Sequence, residues 1–194
     1  MVAGLLLATF GPWHPDIFDR SVADVVRDFG PWVLIHVAVV VSVVLALYGA
    51  MGLVAAHAGR LGRLGEIGLL VEGVGVVMTA SLSMTEALVF PVAAKRAPGM
   101  LSAGGPVLGS WLFVVAGALA LGWPLGLSLL GLAATRAGTF ARSAGASLAV
   151  SGPLFLLLAG PFVPVAGAVA TVLFGGVQVW WGLLLWRARA PTAA

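Results

Sequence analysis

Charge is what this chain has least of. Its 194 residues include 10 Lys and Arg and 7 Asp and Glu, or 9% charged, against about 25% in an ordinary soluble domain. Hydrophobic residues make up 61%, and the mean hydropathy is +1.11. So few charges cannot coat a water-facing surface, and so many apolar residues cannot all enter one soluble core. A soluble globular fold and intrinsic disorder are both excluded. Cysteine is absent, which removes disulfides, thiolate metal sites, Fe–S ligation and a cysteine nucleophile. No window gathers the Lys and Arg of a nucleic-acid footprint, so no nucleic-acid partner is expected. No H-E-x-x-H, D-D-x-x-D or G-x-S-x-G occurs, and no catalytic or metal-ligating set is expected.

What is present is a series of long apolar runs. A membrane-crossing helix needs about 20 mostly apolar residues, with charges between spans. That rule predicts an all-α polytopic transmembrane bundle of five spans: Pro31 to His57, Ile67 to Ala94, Pro106 to Ala134, Ala144 to Ala159 and Pro161 to Trp186. The chain reads as one integral membrane domain over residues 1–194: an apolar segment 1–13, an acidic segment 14–30, a bundle over 31–189 and a tail 190–194. Segment 1–13 is too short to cross a bilayer. It is either a membrane-dipping helix or part of a sixth span. Gly30-Pro31, Gly105-Pro106 and Gly160-Pro161 mark helix starts, because proline suits the first turn. Trp123-Pro124 and Gly152-Pro153 predict kinks. Gly59 to Gly68, with glycine at every third residue, reads as a tight basic turn.

Arg60, Arg63, Arg136, Arg142, Arg187 and Arg189 fall on one side of this topology. By the positive-inside rule that side is cytoplasmic, with the acidic N-terminal segment outside and the C-terminus inside. The expected location is a bacterial inner membrane, and the expected partners are lipid and other membrane subunits or further copies of the chain. Pro15 to Phe29 alternates apolar and charged residues, as either an interfacial helix or a connector lying on the bundle. Trp13, Trp32, Trp111, Trp180, Trp181 and Trp186 sit near span ends and read as an aromatic belt. His14 and His57 read as interfacial and solvated.

Ionisable groups inside a span are costly and point to function. Span two carries Glu72, Thr79 and Glu86 at spacings of seven, about two turns, with Gly75 and Ser83 in the same stripe. Such a face belongs in the bundle interior. Glu86 lies about 9 Å outward of the centre of span two, and His36 about 12 Å outward of the centre of span one. A short turn joins the two spans, so they are expected to be antiparallel neighbours. His36 and Glu86 are therefore expected to meet. Such a pair can relay a proton, anchor a polar head group, hold a haem axially, or lock two helices together. Haem ligation would need His36 with Met78 or Met84. The candidate ligand or proton-relay residues are His36, Glu86, Thr79, Ser83 and Glu72.

Gly30-Pro31-Trp32-Val33-Leu34-Ile35-His36 and Glu86-Ala87-Leu88-Val89-Phe90-Pro91 resemble a loose group of small, uncharacterised polytopic membrane proteins of high-GC bacteria. The resemblance implies a fold type and no activity. Binding of a small lipophilic ligand or cofactor without catalysis, or an accessory role in a membrane complex, is the expected function. Proton-coupled transport through Glu86 and His36 and a membrane-embedded enzyme acting on a lipid or isoprenoid are the alternatives.

Overall fold

A computed structural model describes residues 1–17, 20–57, 59–160, 163 and 165–188, with the side chain of Ala188 left out. The described residues are all-helical, without a strand. The helices are α1 (Val2–Phe10), α2 (Val22–Asp28), α3 (Trp32–Ala56), α4 (Gly62–Leu88), α5 (Phe90–Arg96), α6 (Trp111–Ala120), α7 (Gly122–Ala137), α8 (Arg142–Leu158) and α9 (Ala166–Ala188). Short 3₁₀ turns follow α1 and α5.

Four helical stretches are long and apolar enough to cross a membrane: Trp32–Ala56, Gly62–Arg96, Trp111–Ala137 and Ala166–Arg187. The helix over the expected fourth span, α8, has 17 residues and is shorter than these four. α1 is shorter still. Packing closes these elements into a ring: α1 touches α3 and α9, α3 touches α4, α4 touches α7, α7 touches α8, and α8 touches α9. α1 thus completes the wall between the first long helix and the last.

Glycine governs how closely the ring members approach. A Cβ on Gly75 of α4 would fall 2.7 Å from Trp123 Cα of α7 and would strike the Trp123 amide nitrogen. A Cβ on Gly126 of α7 would fall 2.5 Å from Glu72 Cα of α4. Backbones can cross this closely only where no side chain intervenes, which is how helices associate without a hydrophobic driving force between them. Trp181 donates from Nε1 to the Ala144 carbonyl at 2.8 Å and ties α9 to α8.

Local chemistry corrects several boundaries. The Trp123-Pro124 kink is present, as the break between α6 and α7 at Leu121. Pro153 sits inside α8, which runs from Arg142 to Leu158. Span three opens at Trp111 rather than Pro106, because Ser110 caps the helix by accepting from the Phe113 amide at 3.1 Å. Span two opens at Gly62, so most of the expected glycine turn belongs to the helix. Pro161 and Arg189, with the tail beyond, lie outside the described residues.

The expected helix over Pro15 to Phe29 is realised only as α2. Ser21 caps it, accepting from the Asp24 amide at 3.2 Å and donating to the Asp24 carboxylate at 2.6 Å. That hydroxyl, and then the Arg27 guanidinium, hold the exposed Asp24 below its ordinary value. Ala23, Val25 and Val26 bury against Trp32, Phe90, Ala93, Ala94 and Leu101. α2 therefore lies on the bundle, against α5. At the opposite end, Arg60 donates to the Ala137 carbonyl at 3.2 Å and joins two basic turns.

Candidate functional site

The ring is not filled. A cavity of about 420 Å³ occupies the half of the bundle that carries α2 and α5. That volume falls within the usual range for a small-molecule site. Leu7, Val39, Leu121, Trp123, Pro124, Phe155 and Leu156 make most of its wall apolar. All of its polar side chains but one, Thr171 of α9, come from α3, α4 and the segment after α1: His14, Asp16, His36, Thr79, Ser83 and Glu86.

The fold builds this polar side from three elements. α3 supplies His36, which is 2% exposed. α4 supplies Thr79, Ser83 and Glu86 from one face, as the seven-residue spacing requires. The segment after α1 folds back across the mouth and brings His14 and Asp16.

His36 and Glu86 meet as the sequence predicts, with Nε2 and Oε2 3.2 Å apart. Trp32 fixes both. Its carbonyl accepts from His36 Nδ1 at 2.7 Å, and its indole Nε1 donates to the Glu86 carbonyl at 2.7 Å. A carbonyl can only accept, so His36 carries a hydrogen on Nδ1. In the neutral ring, Nε2 then presents a lone pair to the carboxylate. The Nε2–Oε2 contact lacks the alignment of a hydrogen bond, and Nε2 has no other hydrogen-bond partner. Two acceptors face each other until a proton, on either atom, makes the contact attractive. Glu86 is the accessible member, with a side chain 25% exposed against 3% for His36.

Sequence reasoning missed His14. Its ring packs on His36 at a centroid distance of 5.2 Å and on Trp32 at 5.6 Å. It is half-buried rather than solvated: the chain after α1 carries it into the cavity wall. Burial, followed by the positive charge available to His36, pushes the ring down to about 4, against the opposing pull of Glu86 and the Pro15 carbonyl. Its Nδ1 lies 2.9 Å from that carbonyl and donates to it. The signal in the sequence was a histidine between Trp13 and Pro15, directly after an apolar segment.

Trp32 and Trp181 are likewise buried, at 2% and 5% exposure, and do not belong to an aromatic belt. Trp13, Trp111, Trp180 and Trp186 are exposed, as expected of one. His57 caps its own helix end, with Nδ1 donating to the Leu53 carbonyl at 3.1 Å and its ring against Phe140.

Glu72 is not part of the cavity. It shares the stripe of Thr79 and Glu86 but lies 14 residues from Glu86, about 21 Å along the helix. It sits at the α4–α7 crossing, fully buried, and neither carboxylate oxygen has a hydrogen-bond partner. Thr79 faces the cavity and donates weakly to the Ala120 carbonyl at 3.4 Å. The residues do not fit a haem: Nε2 of His36 faces Glu86, and neither Met78 nor Met84 lines the cavity. Among the described residues, no three His, Asp or Glu side chains converge to hold a metal ion.

No protein family, curated protein or solved structure matches the chain.

Proposed function

We propose that this chain is an integral membrane protein that binds a small amphiphilic molecule within its helical ring. The carrying observation is the cavity of about 420 Å³, apolar on most of its wall and polar where His36 and Glu86 meet. Apolar walls accept a hydrocarbon body, and a few convergent polar groups orient its head. Few residues lie outside the helices, which favours binding over catalysis. The basic turns around Arg60 and Arg136 support a cytoplasmic placement of that end in a bacterial inner membrane, with Asp16 and α2 on the outer side. Exposed apolar side chains such as Leu70, Val77 and Leu157 suit lipid contact.

Native mass spectrometry of protein gently released from its membrane tests this reading. Wild type should retain a small adduct. Ala159→Trp, which fills the cavity from its wall, should lose it. An adduct retained equally by both proteins would overturn the reading, and so would the absence of any adduct.

Proton-coupled transport is a second reading, favoured by one observation: the His36–Glu86 contact needs a proton to be attractive. A ligand that competes for Glu86 would then exchange for that proton. Ligand binding measured in weakly buffered solution should release protons in wild type and none in Glu86→Gln.

A further inference from the structure

We propose that the cavity takes a lipophilic ammonium: a protonated primary or secondary amine carried on a hydrocarbon body. This rests on the ligand-binding reading above and narrows it to one chemical class.

The argument is a count of donors and acceptors. Among the described lining residues, Asp16 and Glu86 are carboxylates, and none is Lys or Arg. Most donors on the wall are committed to backbone carbonyls. His36 Nδ1 donates to Trp32, His14 Nδ1 to Pro15, Thr79 Oγ1 to Ala120 and Thr171 Oγ1 to Gly167. Trp123 Nε1 has no hydrogen-bond partner but is buried. Ser83 has a hydroxyl, which can accept as well as donate. The wall therefore offers the Glu86 carboxylate and hydroxyl oxygens.

A ligand carboxylate would face Glu86 with like charge. A ligand ketone would find few donors. An alcohol could donate one hydrogen but would leave the carboxylate charge unanswered. An ammonium supplies both missing things. Its charge pairs with Glu86, and one N–H reaches the carboxylate in a charge-assisted hydrogen bond. It also does the work of the proton that the His36–Glu86 contact otherwise requires. The titratable groups facing Glu86 are His36 from α3 and His14 and Asp16 from the segment after α1; the linings from α6, α7, α8 and α9 contribute none.

The absence of native cysteine makes the test direct. Ala168→Cys places a thiol in the cavity wall. Its labelling by a water-soluble maleimide is followed in lipid nanodiscs with octylamine, octanol or octanoate at neutral pH. Octylamine, protonated there, should slow labelling at a concentration about tenfold or more below that of octanol, with octanoate weakest. Adding Glu86→Gln should raise the octylamine midpoint by about tenfold and the octanol midpoint by much less. Protection by octanol that persists in the variant shows that it still folds. If octanol or octanoate protects as well as octylamine, the ammonium class is wrong while the cavity reading stands. If none of the three protects, the cavity reading itself fails.

Discussion

Replacing Gly75 with alanine should separate the two helices that hold the cavity wall. A carbon–carbon contact is comfortable at about 3.5–4.0 Å. The new Cβ would sit 2.7 Å from Trp123 Cα and closer still to the Trp123 amide. These are backbone atoms and cannot rotate away, so α4 and α7 must part by about 1 Å at this level. Overpacking of this kind costs about 1–3 kcal/mol, or roughly a 5- to 150-fold fall in the folded-to-unfolded ratio. Gly73, two residues away on the same helix, is the control. A Cβ there meets nothing within 4 Å, so Gly73→Ala should be neutral or stabilise by up to about 1 kcal/mol. Unfolding in mixed micelles, titrated with a denaturing detergent and followed by far-UV circular dichroism, gives both values. The displacement should also weaken ligand retention, because Trp123 and Pro124 line the cavity just beyond the crossing. If Gly75→Ala and Gly73→Ala behave alike, the close α4–α7 crossing is wrong.

Other substitutions test other parts of the account. Trp32→Phe keeps the stacking on Phe90 but removes the indole donor to the Glu86 carbonyl; it should cost about 1–3 kcal/mol in the same assay, and a variant as stable as wild type would remove that anchor. Glu72→Met replaces a buried carboxylate without hydrogen-bond partners; it should be neutral or raise stability by about 1–3 kcal/mol with ligand binding intact, whereas lost binding would return Glu72 to the site. His14, held near 4 in the folded chain against 6.5 unfolded, binds its proton more readily when unfolded. Its effect on stability is therefore nil above 6.5 and increasingly unfavourable as pH falls from 6.5 to about 4. Melts at pH 7.5 and 4.5 should show a smaller acid loss for His14→Leu than for wild type, and equal losses would contradict the buried position.

Much of this structure is written locally in the chain. Apolar runs bounded by arginines locate the long helices, because the bilayer thickness sets their length. Glu86 and His36 could be matched because a short turn forces adjacent helices antiparallel, after which depth is arithmetic on a rise of 1.5 Å per residue. The stripe of Thr79, Ser83 and Glu86 follows from helical period. The same period also drew in Glu72, and periodicity has no means of telling a cavity-facing position from a helix crossing two turns away. The role of His14 was not legible, since it depends on the chain after α1 folding back over the ring. Trp32 and Trp181 looked like interfacial residues by position and are structural donors by tertiary contact. The cavity itself is a property of seven packed helices and the segment after α1, and belongs to no single segment.

A photoreactive aliphatic alcohol carrying a diazirine tests the central claim most directly, because it reports where an amphiphile resides without assuming a charged head. After illumination in nanodiscs, peptide mass mapping should place its adducts on cavity residues such as Val39, Phe155 and Leu156, and Ala159→Trp should abolish them. Adducts confined to outward-facing residues such as Leu70, Val77 and Leu157, and indifferent to Ala159→Trp, would contradict the account.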